Sequence, residues 1–180
     1  MPQTDVWAQL ADKHAIHEVI LRYCRGIDRL DMSLVRSCYH PGAVDHHTNF
    51  EGDVDKFVIW VEEALRLLAG TMHLVGNHLV ELDGDLARSE TYCTAFHWAD
   101  PASSLENVTT GMRYVDTFER RAGEWRIAER FALREWIRTE PNQRGADPLE
   151  GPTGTRDRSD PVYRPLPNRT AGAPDIRSAF

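Results

Sequence analysis

The chain changes its hydrophobic period once. Up to about residue 69, apolar residues recur every three or four positions, the mark of helices packed along one face; from about 71 to 137 they alternate, the mark of strands. Residues 13–29, KHAIHEVILRYCRGIDR, set Ile16, Val19, Ile20, Tyr23, Cys24 and Ile27 on one stripe, which predicts a helix whose last turn Gly26 weakens. A short second helix is predicted at 32–39, with Asp31 as N-cap and HPGA as its stop. A third, 53–69, carries Phe57, Trp60, Val61, Ala64, Leu65 and Leu68 on one side, with Gly70 as its C-cap.

Four segments then read as strands: TMHLVGNHLVEL, LARSETYCTAFHWA, NVTTGMRYVDTFERR and EWRIAERFALREWI. DGD at 83–85 and RAGE at 121–124 supply hairpin turns, DPASSLEN at 100–107 joins the middle pair, and a further short strand is expected at 43–47. Helices followed by a meander of long antiparallel strands make an α+β layout, and the sheet must curve strongly if three helices are to cover one face. In the first strand, strict alternation sets Met72, Leu74, Gly76, His78, Val80 and Leu82 against Thr71, His73, Val75, Asn77, Leu79 and Glu81. The first set is the more apolar, so the pattern alone buries His78 and leaves His73 on the polar side.

The pattern fades after about Glu140. Residues 141–180 hold seven of the ten prolines and few aliphatics, which predicts an α+β domain at 1–140 and a Pro-rich extension at 141–180. Tyr163, Ile176 and Phe180 are its candidate anchors, on the domain itself or on a neighbouring subunit.

Composition narrows the function classes. A length of 180 residues with 41% apolar and 27% charged residues fits one domain with chain to spare. A net charge of -7 argues against nucleic acid or an anionic membrane as partner. No apolar run approaches the roughly 18 residues that span a bilayer, and the N-terminus lacks the basic and apolar regions of a signal peptide. Three cysteines without CxxC spacing (Cys24, Cys38 and Cys93) fit isolated buried thiols in a reducing cytosol, so a cytoplasmic protein is expected.

Two places carry candidate chemistry. Asp28 closes a helix, where the macrodipole disfavours a carboxylate by about 0.3–1 kcal/mol, and it lies at the edge of the apolar stripe. The segment HPGAVDHHTNFEG gathers His40, Asp45, His46 and His47, residue types that suit zinc or iron. Its spacing fits no standard metal template, and neighbouring histidines on a strand point to opposite faces, so no metal is assigned. No nucleophile elbow, phosphate loop or dinucleotide fingerprint is present.

The succession RYCRGIDRLD, CYHPGAVDHH, TMHLVGNHLVELDGDLARSETY and GMRYVDTFERRAGEWRIAER resembles the SnoaL-like family, within the nuclear-transport-factor-two-like superfamily, over roughly residues 10–138. The resemblance implies a cone-shaped α+β roll, a curved antiparallel sheet whose three N-terminal helices enclose a cavity. Relatives include scytalone dehydratase, hexachlorocyclohexane dehydrochlorinase, bile acid dehydratase, ketosteroid isomerase and the small subunit of ring-hydroxylating dioxygenases. The dehydratase-like members use an Asp–His pair inside the cone, at the positions of Asp28 and His73 here. Tyr23 matches a tyrosine five residues before that Asp, and Arg130 an arginine on the last strand. A core tyrosine and a cross-strand salt bridge are the plain readings of those last two. A cone's inner face can carry polar residues, so the family position selects His73 over His78.

The expected function is therefore a cofactor-independent lyase, a dehydratase or related elimination enzyme, acting on a small apolar ring compound. A ketosteroid-isomerase-like isomerase, a ligand carrier and an oxygenase small-subunit-like scaffold are the alternatives. An apolar outer face with Tyr92, Phe96 and Trp98 on one strand predicts a homo-oligomer, a trimer before a dimer.

Overall fold

The computed structural model describes residues 3–100, 102–142 and 153–166. Helix α1 is Gln3–Asp28, α2 Met32–Ser37 and α3 Val54–Arg66; the strands are β1 Tyr39–His47, β2 Phe50–Asp53, β3 Leu68–Asp83, β4 Leu86–Ala99, β5 Asn107–Arg121 and β6 Glu124–Glu140. The strands form one curved sheet in the order β2-β1-β6-β5-β4-β3, antiparallel throughout except where β1 runs parallel to β6. The core lies between this sheet and the helices, and the predicted α1 stripe is buried along its whole length.

Three glycines act by letting something close in. At Gly26 a Cβ would sit 2.7 Å from the Val35 side chain, so its absence lets α2 pack against the end of α1. Asp31 N–H donates to Gly26 O at 2.8 Å and Leu30 N–H to Ile27 O at 3.3 Å, a Schellman closure with Leu30 at φ 52°. Asp31 then caps α2, accepting from Leu34 N at 3.1 Å. Gly70 and Gly111 lie beneath tryptophans: a Cβ would come within 2.4 Å of the Trp98 ring and 2.1 Å of the Trp136 indole respectively.

Several boundaries differ from expectation. α1 begins ten residues earlier than the predicted 13, at Gln3. α2 stops at Ser37, and HPGA belongs to β1, as an excursion between Tyr39, paired with Ile127, and Val44, paired with Glu129. α3 ends at Arg66 with right-handed Leu67 as C-cap; Gly70 is already in β3, where Trp98 requires it. Strand β2, paired with β1, had no counterpart in the prediction.

The described part of the extension, residues 153–166, lies on its own domain. Arg29 donates to Thr155 O at 2.9 Å and to Asp160 Oδ2 at 3.2 Å, and the Tyr163 hydroxyl donates to Asp31 Oδ2 at 3.1 Å. Arg156 donates to Leu65 O, in the last turn of α3, at 3.1 Å and to Leu68 O, at the start of β3, at 2.8 Å. The other two proposed anchors, Ile176 and Phe180, lie outside the described residues.

Candidate active site

β3 decides which histidines reach the interior. Its pairing with β4 runs regularly to Val75, opposite Cys93, and resumes at His78, opposite Thr91. Three steps on β3 match two on β4, so one extra residue bulges at exposed Gly76–Asn77 and reverses the phase of alternation. Thr71, His73 and Val75 turn inward before the bulge; His78, Val80 and Leu82 do so after it. Met72 and Leu74, placed by strict alternation on the buried face, are exposed.

His73 sits against Asp28. Its Nδ1 lies 2.7 Å from Asp28 Oδ1, its backbone N–H donates to Oδ2 at 3.0 Å, and the Thr71 hydroxyl donates to Oδ1 at 3.0 Å. A carboxylate accepting from Nδ1 makes Nδ1 the protonated nitrogen, which leaves Nε2 as the lone-pair nitrogen. No described residue bonds that Nε2. The Schellman turn places Asp28 at the end of α1 over the start of β3, so the carboxylate that the helix dipole disfavours is compensated by three donors from the strand.

The pair borders a cavity of about 200 Å³ whose wall includes Tyr23, Trp60, Leu65, His97 and Tyr114. His97, on β4, has its ring 6.0 Å from that of His73, edge to face. Burial, and then the neighbouring His73, lower its pKa, so it is a neutral group at pH 7. Burial holds the Tyr23 hydroxyl well above its ordinary pKa, which makes it a donor and not a base.

Arg130 stands one layer back. It is fully buried, paired in fork geometry with Asp116 at 2.8 Å for both bonds, and its guanidinium lies over the Tyr23 ring at 4.1 Å and the Tyr114 ring at 4.2 Å. Burial opposes the charge and Asp116 outweighs it, so Arg130 remains a cation. It backs the cavity wall, and Arg134, four residues on, is the arginine of β6 that lines the cavity. His78 meets His17 of α1, Nδ1 to Nδ1 at 3.0 Å, and burial with that neighbour lowers its pKa to about 4. It is a neutral packing histidine.

The histidines of β1 separate. His40 bonds Glu119 O at 2.8 Å; His46 faces outward and stacks on Phe131 with centroids 4.1 Å apart; His47 lines the cavity. The sequence leaves open whether His46, His47 or His78 faces the cavity, and it points to neither His97 nor Arg134; of these five, the cavity is lined by His47, His97 and Arg134. The available signal was phase alone: His97 follows buried Cys93 and Ala95 at a spacing of two, and His47 follows buried Asp45. Cys24, Cys38 and Cys93 are free and buried.

Comparison with known proteins agrees with this architecture. A profile of the SnoaL-like domain matches residues 8–131. An uncharacterized protein of Mycobacterium tuberculosis, Rv2910c, is 28% identical over 127 residues, which are 68% of this chain and 85% of that protein. Among solved structures, a candidate scytalone dehydratase from Novosphingobium aromaticivorans superposes with a TM-score of 0.67 at 17% identity, covering 81% of this chain and 97% of its own. The hexachlorocyclohexane dehydrochlorinase LinA-type3 from Novosphingobium barchaimii superposes with a TM-score of 0.68 at 13% identity, covering 78% and 97%. At such identities the two structures speak for the fold.

Proposed function

The chain belongs to the SnoaL-like domain family, and from that premise we propose that it is a cofactor-independent lyase that removes water, or another leaving group, from a small apolar ring compound. The observation that supports this best is the Asp28–His73 pair: a histidine with Nδ1 committed to a buried carboxylate and Nε2 unclaimed, at the wall of an apolar cavity. Two fold neighbours carry names that denote dehydration and dehydrochlorination, both losses of hydrogen and a leaving group from adjacent carbons.

The chemistry follows from the residue types. His73 Nε2 takes a proton from a carbon made acidic by a neighbouring carbonyl, and Asp28 fixes the tautomer and stabilises the imidazolium that forms. The Tyr23 hydroxyl is a donor for the oxygen on which charge develops, and Arg130 behind it favours that charge through the ring it covers. Positioned acid–base work of this kind contributes about 10²–10⁴-fold. The aromatic and aliphatic wall selects a ring substrate, and a cavity of about 200 Å³ suits a small one. Protons and electron pairs are all that move, so the step calls on no metal or redox group.

The test is a panel of cyclic β-hydroxy ketones, beginning with 3-hydroxycyclohexanone, followed by the absorbance of the enone product. Turnover by the wild type and its loss in His73→Ala are expected. Wild-type turnover in His73→Ala overturns the acid–base reading. Binding without turnover across the panel favours a ligand-binding role, and movement of a double bond without loss of water favours an isomerase.

A further inference from the structure

A second imidazole in the cavity repeats the arrangement of the first. Along β1 the side chains alternate, so Asp45 and His47 turn inward while His46 turns out towards Phe131, Glu51 and Glu129. Asp45 is fully buried, and both its oxygens are engaged: Oδ1 by His47 Nδ1, Oδ2 by the Tyr39 hydroxyl at 2.6 Å. The His47 ring stacks on Phe57 with centroids 5.0 Å apart and lies 6.3 Å from Trp60, both on α3. These contacts fix the ring while leaving Nε2 without a partner among the described residues. His47 and His73 line the same cavity.

A buried carboxylate is costly unless it is bonded and has a task. Asp45 bonds a tyrosine that could have been a phenylalanine and a histidine that could have been a leucine, had packing been the only requirement. Two carboxylate–imidazole pairs with their outer nitrogens unclaimed, in one cavity, constitute an acid and a base.

We propose that Asp45–His47 is the acid partner of Asp28–His73: His47 donates a proton from Nε2 to the leaving oxygen while His73 takes one from carbon, and Asp45 is its positioning residue. This rests on the elimination reading above. The C–H electron pair becomes the second bond of the alkene. The C–O bond breaks with its electrons on oxygen, and that oxygen leaves as water with the proton from His47. His73 ends protonated and His47 neutral, and exchange with solvent restores both. The charged and titratable groups that face His47 or share its cavity are Asp45 and Tyr39 on β1, Tyr23 on α1, His73 on β3, His97 on β4, Tyr114 and Asp116 on β5, and Arg130 and Arg134 on β6; α3 presents apolar residues there, Phe57, Trp60, Val61, Ala64 and Leu65.

The experiment has two arms. In the first, the full chain labelled with ¹⁵N-histidine is titrated with 4-nitrophenol, a ring with a hydroxyl and no elimination open to it. The ring signals of His47 and His73 are expected to move together along one binding curve, and His47→Gln to weaken binding by about tenfold while sparing the His73 response. A response at His73 without one at His47 overturns the proposal; silence at both overturns it together with the cavity reading. In the second arm, kcat/KM for the elimination is followed against pH. A base that must be free and an acid that must be protonated give a bell, and His47→Gln is expected to lower the rate by about 10²-fold and remove the alkaline fall. A bell of unchanged shape and lower height assigns His47 a structural role and overturns the proposal. Wild-type rates in His47→Gln beside an inactive His73→Ala sink this inference alone, whereas activity in His73→Ala sinks the reading on which it rests.

Discussion

His73 and His78, five residues apart on β3, face the same side of the sheet. An odd separation sends side chains to opposite faces of a regular strand; the extra residue between Val75 and His78 cancels that. Deleting Asn77 should restore regular alternation. His73 is tethered to Asp28, so the strand beyond the deletion would be the part to turn over, sending His78, Val80 and Leu82 to solvent. The expected loss is about 3–5 kcal/mol, from two half-buried aliphatics and the His17 contact, read as a lower urea midpoint.

That bulge marks the limit of what the chain reveals in one dimension. Helix stripes and strand alternation are dictated by burial on one face, and so α1, α3 and the four long strands could be read from periodicity. Gly76 gives little warning of a bulge, because glycine in a strand has several causes. Gly70 shows the same ambiguity: a helix C-cap and a glycine beneath a tryptophan look identical until Trp98 is seen across the sheet. The candidate site divides along similar lines. Asp28 stands out because a carboxylate at a helix C-terminus is misplaced. His47 and His97 do not, because a polar residue facing an enclosed cavity obeys the same alternation as one facing water.

Asp28→Asn should be nearly as damaging to turnover as His73→Ala. The amide can donate where the carboxylate only accepts, which favours the imidazole tautomer with its lone pair on Nδ1. The two losses should not add in the double variant, because the residues act as a unit. Steady-state kinetics on the four proteins of the cycle measures this, and additive losses would show the residues working separately. Activity should also survive a chelator.

Arg130→Met should act on stability more than on chemistry. The substitution leaves Asp116 buried without its fork partner and withdraws the cation that lies over Tyr23 and Tyr114. Breaking one side of a buried pair costs about 3–5 kcal/mol, so the variant should melt well below the wild type or be recovered poorly. Asp116→Asn with Arg130→Met should regain part of that loss. A wild-type melting temperature in Arg130→Met would mean the pair is not holding the core.

The outer sheet face should be covered by further copies of the chain. Leu74, Tyr92 and Trp136 border an open groove of about 580 Å³, and exposed Leu133 lies opposite Arg113 on the same face. Arg113 spans the same face between Glu90 and Glu135, at 2.6 Å to each, a polar element of the sort found beside apolar patches at interfaces. Light scattering at micromolar concentration should give a multiple of 20.5 kDa, a trimer before a dimer, and Leu74→Glu with Tyr92→Glu should reduce it. A wild-type monomer would refute the assignment of this face.

His78 makes stability depend on pH below neutrality. Its pKa is about 4 in the folded chain against an ordinary 6.5. Between those values the unfolded chain binds a proton that the folded one refuses, so stability rises with pH through this window. The contribution is complete above 6.5 and is lost as pH falls towards 4. Because the ring is only partly buried, about 1–2 kcal/mol is the expected size after discounting for solvent screening. His97, whose pKa is also lowered by burial, adds to the slope in the same direction. Urea titrations of wild type and His78→Leu at pH 7 and pH 4.5 separate the two: the variant removes the titrating ring, so its loss on acidification should be smaller by that amount. Equal losses in both proteins would place the acid sensitivity elsewhere and leave the His17–His78 contact without a role in it.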